Sequence, residues 1–173
     1  MKVVGVIGEP ATGKTTLMRE VLARLGPDYT PFKFAKLLYG RMYPRDRYVL
    51  GIYREGEPFA GTDRLSMAVQ PVAIRFIHKV SPKAIVLFEG DRLTRQGFLE
   101  AAAGSLHLFM LDTSHAEKMR RHRDRHDTQP EQFHRSRATL IKRIADAFPV
   151  VRLVNETPDD LAMNAGRIIA AMK

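Results

Sequence analysis

Residues 8–15 read Gly8-Glu9-Pro10-Ala11-Thr12-Gly13-Lys14-Thr15, the pattern G-x-x-x-x-G-K-T. They constrain the chain more than any other stretch, because the pattern describes a loop that closes around a phosphate. The glycines let successive backbone N–H groups turn toward one anion. Lys14 adds a mobile positive charge beside the outer phosphates. The Thr15 hydroxyl suits Mg²⁺, an ion that keeps most of its own waters. The flanks agree with the loop. Lys2-Val3-Val4-Gly5-Val6-Ile7 is a short, β-branched apolar run of the kind found in buried parallel strands. Beyond Thr16, the residues Leu17, Val21, Leu22 and Leu25 recur at helical spacing. A strand therefore ends and a helix begins across this loop, where the helix dipole also favours an anion. A glycine-rich turn with no ligand is the plainer alternative. The residues assigned to the nucleotide phosphates are Gly8, Ala11, Thr12, Gly13, Lys14, Thr15 and Thr16.

The alternation continues along the chain. Apolar runs at 3–7, 84–89, 106–111 and 150–154 predict parallel strands. Helical spacing predicts helices over 15–25, 65–80, 95–103, 114–126, 130–147 and 158–172. Strands alternating with helices predict a three-layer α/β sandwich around a central parallel sheet, in a single domain over 1–173. Two helix starts are signalled. Ser114 with Glu117 reads as a capping box, and Thr157-Pro158 places a capping hydroxyl before proline at the first helical position.

Residues 29–58 break the rhythm. The run 32–39 alternates, 47–53 reads as a second strand, and 40–46 between them is rich in turn formers, so a small insertion of two neighbouring strands is predicted. It carries Lys33, Lys36, Arg41, Arg45 and Arg47 among tyrosines and phenylalanines. Basic charge beside aromatic faces suits single-stranded or flipped bases. An edge hairpin with its aromatics in the core and its charges in water accounts for the same composition. Lys33, Lys36 and Arg41 are the substrate-binding candidates here.

Lys and Arg number 28 against 19 Asp and Glu, a net charge of +9. A polyanionic partner such as DNA explains that excess simply, and a basic surface that only aids solubility is the alternative. With no cysteine, the chain has neither a disulfide nor a thiolate metal site. No apolar run approaches the ~20 residues that span a bilayer, and no targeting segment is visible. The expected compartment is the cytoplasm, with no membrane and no inferred protein partner.

The run 84–89 ends in Glu89-Gly90-Asp91-Arg92. In parallel α/β sheets ligands sit beyond the carboxyl ends of the strands, which is the edge where the phosphate loop lies. Glu89 or Asp91 can therefore approach a metal held by Thr15, and Arg92 can touch a transferring phosphoryl group. A turn stabilised by two carboxylates is the alternative. Around Gly61-Thr62-Asp63-Arg64-Leu65-Ser66, Gly61 permits a close turn, and Thr62 or Asp63 can cap the helix beginning near Leu65. The functional reading makes Asp63 a general base toward an acceptor hydroxyl. Arg64 then orients a substrate phosphate, and Gln70 offers an amide to a base edge or simply faces solvent. The densest basic run lies at 118–127, followed by a polar break and a second arginine-bearing segment to 137. This is the layout of a mobile lid over 118–137, with Arg120, Arg121 and Arg125 neutralising phosphate charge. His122, His126 and His134 lie among arginines, which repel a cation.

Taken together, the phosphate loop, the Glu89-Gly90-Asp91-Arg92 strand end and the arginine-rich segment resemble a small P-loop kinase of the nucleoside and nucleotide kinase type. The Asp91-Arg92 pair resembles the acidic-Arg pair that follows a central strand in deoxynucleoside kinases. More narrowly, the stretch from Gly8 to Lys14, the sequence Gly61-Thr62-Asp63-Arg64-Leu65-Ser66 and the basic charge resemble the bacteriophage 5-hydroxymethyluracil DNA kinases. The resemblance implies transfer of the γ-phosphate of ATP, with Mg²⁺, to the hydroxymethyl group of a modified pyrimidine in DNA. It also implies the host cytoplasm as the setting. Asp63 or Asp91 then takes the acceptor's proton, while Lys14, Arg92 and Arg121 carry charge on the transferring group. Which arginine meets which phosphate does not carry over, because such lids vary. A kinase of a free nucleoside, nucleotide or metabolite, and an ATP-regulated nucleic-acid-binding module, remain as rivals, and no motif separates ATP from GTP.

Overall fold

The computed structural model describes residues 1–54, 60–124 and 128–173. One seven-stranded sheet carries the fold. Its strands are β1 (Lys2–Ile7), β2 (Thr30–Phe34), β3 (Leu38–Tyr43), β4 (Arg47–Leu50), β5 (Ile85–Glu89), β6 (Leu106–Asp112) and β7 (Val150–Val154). They lie in the order β2-β3-β4-β5-β1-β6-β7. The five strands from β4 to β7 are mutually parallel, and β3 runs antiparallel between β2 and β4. The predicted α/β sandwich is therefore the observed one, with a mixed rather than wholly parallel sheet.

The helices are α1 (Lys14–Leu25), α2 (Val69–Lys79), α3 (Gln96–Ala102), α4 (His115–Asp124), α5 (Glu131–Ala147) and α6 (Pro158–Ala171). Strand residues alternate between two cores, as a pleated strand requires. Val4, Val6 and Leu87 pack with Leu17, Val21 and Ile168 under α1 and α6. Val3, Ile7, Val86 and Phe88 pack with Phe76, Phe98 and Ile144 under α2, α3 and α5. Among the described residues, no helix is long and apolar enough to cross a membrane.

The insertion differs from its expectation. The run 32–39 is not one strand, because the chain turns at 35–37, where Ala35 and Lys36 take φ of 47° and 63°. A second turn at 44–46 uses Arg45 and Asp46 at φ of 63° and 53°. Three short strands result instead of two, and most of the supposed 40–46 turn is β3. Left-handed turns are usually announced by glycine or asparagine, and neither is present here. Direction matters for function. Since β4 parallels β5 and β3 opposes β4, the turn at 35–37 falls at the sheet edge that holds the phosphate loop. Arg45 lies at the opposite edge.

Two helix starts also differ. The expected helix over 65–80 begins only at Val69, after a 3-10 turn at Thr62–Arg64. The Ser114 box is half formed: Ser114 Oγ accepts from the Glu117 amide at 3.4 Å, but Glu156 Oε1 takes the Ser114 N–H at 2.6 Å. The Thr157 box is complete, with Thr157 Oγ1 accepting from the Asp160 amide and Asp160 bonding back. Replacing Thr157 by alanine is expected to lower stability by about 1 kcal/mol. Thermal unfolding of Thr157→Ala checks this, and an unchanged melting temperature would show that the cap contributes nothing.

Candidate active site

The loop after β1 opens α1 as its pattern predicts. Gly13 precedes the helix in the left-handed region (φ 88°), and Ala11 shares that region at φ 62°. Gly13 has no room for more: a Cβ there would stand 2.5 Å from Asn155 Nδ2. No described side chain caps α1, so its first-turn amides are left for an anion. Lys14 Nζ curls over the loop and donates to the carbonyls of Gly8 and Glu9, both at 2.8 Å. The Thr12 hydroxyl serves the loop itself by donating to Glu9 O at 2.9 Å, and Thr16 is exposed.

The carboxylates sit at the same edge. Glu89, the last residue of β5, is 1 % exposed, and Thr15 Oγ1 donates to its Oε1 at 3.5 Å. Burial pushes the Glu89 carboxyl up to about 8, against the pull of Lys14. Gly61 makes this packing possible. Its φ is 70°, and a Cβ would stand 2.3 Å from Glu89 Oε1. Thr62 Oγ1 donates to Glu89 O at 2.6 Å. Asp63 caps no helix. Its Oδ1 accepts the Asp91 amide at 2.6 Å, which ties the 3-10 turn to the strand end. Burial, then the Asp91 charge, raise the Asp63 carboxyl above its ordinary value.

A buried carboxylate with so high a pKa links stability to pH. Between about 4.5 and 8 the folded chain keeps a proton that the unfolded chain has lost, so stability falls as pH rises through that window. In chelator and without nucleotide, raising the pH from 5 to 8.5 is expected to destabilise the protein by roughly 2–4 kcal/mol. Glu89→Gln removes most of that slope. Parallel melting profiles for the two proteins would show that Glu89 is not its source.

The arginines are arranged differently from the expected lid. Arg120 lies on the exposed face of α4 between Glu117 and Asp124. Arg121 reaches the loop, but from outside, donating to the carbonyls of Ala11 (3.2 Å), Asn155 (2.9 Å) and Glu156 (3.3 Å). Hydrogen bonds from Arg120 and Arg121 hold the Glu117 carboxyl down to about 2. Lys118 pairs with Glu9 at 3.0 Å. Helix α4 is thus fastened to the loop, leaving a cleft of about 590 Å³ against Glu9, Pro10 and α5. Arg125 and His126 lie outside the described residues, while His122 and His134 stack edge to face at 4.5 Å.

Among the described residues, Arg137 on α5 does reach a site carboxylate. It pairs with Asp91 at 3.0 Å and lies over the Phe133 ring. It fell within the flagged basic segment, but its sequence neighbours did not single it out. Asn155 was also missed. It follows β7 at the carboxyl edge and donates to Thr12 O at 2.9 Å, and its place after a strand is the one signal that could have found it. Arg92 Nε donates to Leu65 O at 3.4 Å, and Arg64 is exposed beside Asp63. Gln70 lies against Gly97 of α3. In the insertion, Lys33 stacks on Tyr39, Arg41 on Tyr29, and Lys36 is exposed in the turn.

Among the described residues, no three acidic or histidine side chains form a metal cage. The donor set fits a different demand. One hydroxyl (Thr15) and one buried carboxylate (Glu89) suit Mg²⁺, which takes its other ligands from phosphates and water.

Comparison with known proteins agrees with the fold. An unliganded crystal structure of a sugar kinase from Janibacter sp. HTCC2649 superposes with a TM-score of 0.53, covering 99 % of this chain and 95 % of that one. Sequence identity is 16 %, so the likeness is one of architecture. No curated protein matches the sequence. The family model for P-loop Nucleotide Kinase3 matches residues 1–156, from the first strand past Asn155. The loop, the strand-end carboxylates and the arginine-bearing helices all fall within that span, and the chain belongs to the P-loop nucleotide kinase3 family.

Proposed function

We propose that the protein transfers the γ-phosphoryl group of ATP to a hydroxyl acceptor. The observation that carries this reading is the meeting, at one sheet edge, of the Gly8–Thr15 loop with the buried Glu89 and with Asp63 and Asp91. Thr15 and Glu89 would hold Mg²⁺, which supplies charge neutralisation across the outer phosphates when bound. Lys14 and the first-turn amides of α1 hold the phosphates. The acceptor oxygen forms a bond to the γ-phosphorus as the bond to the bridging oxygen breaks, and that electron pair leaves with ADP. The acceptor's proton passes to Asp63. Asp63 is favoured over Asp91 because its raised pKa suits a base, whereas Asp91 is neutralised by Arg137. Arg92, next to Asp91 in the chain, and Arg137, paired with Asp91, are further cations for the transferring group.

For the acceptor, we infer the hydroxymethyl group of 5-hydroxymethyluracil in DNA. The net charge of +9 and the two cation–aromatic pairs of the insertion support it. So does the turn at 35–37, which brings Lys33 and Lys36 to the site's edge of the sheet. A target base in a duplex must leave the stack to reach the site. A small polyhydroxylated acceptor is the second reading, favoured by the sugar kinase whose fold this chain shares. The test offers labelled ATP with hydroxymethyluracil DNA, thymidine, dTMP and glucose in parallel. Label in DNA that declines steeply with salt supports the first reading. Label in a free compound alone defeats it, and phosphate release with no labelled acceptor defeats the kinase reading.

A further inference from the structure

The two faces of the insertion are treated differently. Phe32 and Phe34 of β2 pack on Phe76 of α2, with ring centroids 4.9 and 5.5 Å apart. Side chains alternate along a strand, so Pro31 and Lys33 point to the opposite face, and both are exposed. Cross-strand pairing sets Arg41 opposite Pro31 and Tyr39 opposite Lys33 on that same face. Tyr43, further along β3, belongs to the core under α1 and is 2 % exposed. Among the described residues, no other side chain of β2 or β3 joins that core.

Two cation–aromatic pairs occupy this face. Lys33 Nζ lies 5.4 Å from the centre of the Tyr39 ring. The Arg41 guanidinium lies 4.4 Å from the centre of the Tyr29 ring, which is 37 % exposed and leans on Tyr43 at 5.6 Å. Arg41 also donates to the Tyr53 carbonyl at 3.1 Å, which holds the guanidinium in place. One pleat, about 7 Å of strand, separates the Pro31–Arg41 pair from the Lys33–Tyr39 pair. Strand β2 runs toward the carboxyl edge of the sheet. The series Tyr29, Arg41, Lys33 therefore leads to Lys36, exposed in the turn at 35–37, at the edge that holds the phosphate loop. Residues 29–45 hold four cations and no acidic residue. Among the described residues, none of Lys33, Lys36 and Arg41 pairs with a carboxylate.

We propose that this open face of β2 and β3 binds single-stranded nucleic acid and leads it to the phosphate-loop edge. Tyrosine rings and guanidinium planes stack unpaired bases, and lysines without acidic partners take the phosphates between them. A duplex offers the same phosphates but keeps its base faces stacked inside, so it uses only half of the surface. The inference rests on the DNA reading for its purpose and adds the form of the partner. That partner is a single or locally opened strand, held whatever its sequence and whether or not it carries a modified base.

The test measures binding without ATP, by fluorescence anisotropy, to unmodified oligothymidylate and to its duplex with oligoadenylate. Transfer from labelled ATP to hydroxymethyluracil DNA is measured in parallel. Wild type is expected to hold the single strand about tenfold more tightly than the duplex, the worth of one stacked base. The double variant Lys33→Ala, Lys36→Ala weakens single-strand binding and reduces its salt slope by about 1.4, the share of two phosphate contacts. Lys79→Ala, Lys83→Ala removes the same charge from exposed positions elsewhere and keeps the wild-type slope. Tyr29→Leu weakens binding about tenfold with the slope unchanged. Equal affinity for duplex and single strand, equal losses in the two double variants, or wild-type affinity in Tyr29→Leu overturns the proposal. If that happens while label still passes to DNA, the acceptor reading stands without this surface. The expected binding with no labelled DNA supports the surface and defeats the acceptor reading.

Discussion

Lys14→Ala is expected to lower phosphoryl transfer by at least 10²–10³-fold, the range seen when one charge-stabilising donor is removed from an active site. Two roles are lost together. Nζ supplies the positive charge nearest the outer phosphates, and it also ties the loop through the carbonyls of Gly8 and Glu9. A third effect falls on Glu89. Lys14 is the principal charge opposing the rise of that carboxyl's pKa, so without it Glu89 holds its proton more firmly and is a poorer metal ligand. The core under α1 is formed by Leu17, Met18, Val21 and Leu22, none of which depends on Lys14. Far-UV circular dichroism should therefore match wild type while thermal protection by ATP and Mg²⁺ disappears. A variant that transfers phosphate at the wild-type rate would remove the loop from the mechanism.

The second large effect is expected from Asp63→Asn, which should reduce kcat by about 10²–10⁴-fold, as for loss of a general base. The substitution separates chemistry from scaffolding. The asparagine carbonyl can still accept the Asp91 amide that Asp63 Oδ1 accepts at 2.6 Å, so the tie between the 3-10 turn and the strand end survives. Melting temperature and the KM for ATP are expected to stay near wild type. In wild type, turnover should fall as pH drops through the raised Asp63 pKa, at a higher pH than an ordinary carboxylate would give. Normal turnover combined with a lowered melting temperature in Asp63→Asn would make Asp63 a tether and nothing more.

Much of this was legible in the chain because it depends on neighbours in sequence. The β-branched run before Gly8, the helical spacing after Thr16 and the Thr157-Pro158 cap are short-range patterns, and each formed where it was expected. The carboxyl-edge rule brought Glu89 to the loop without any knowledge of contacts. The insertion was misjudged for an equally local reason. Its two turns use Ala35, Lys36, Arg45 and Asp46 in the left-handed region, and these residues carry little of the signal that glycine or asparagine would.

The sequence alone determined that a phosphate-binding loop joins a buried strand to a helix, and that a carboxylate ends a second strand at the same edge. Both follow from local conformational preference and from the period of burial. Only the tertiary structure decided which cations serve the site. Arg120, Arg121 and Arg137 look alike along the chain, yet one is held at the surface by Glu117 and Asp124, one grips loop carbonyls, and one meets Asp91. A long guanidinium side chain takes its role from the partner that packing brings within reach, and for Arg121 and Arg137 those partners lie tens of residues away in sequence.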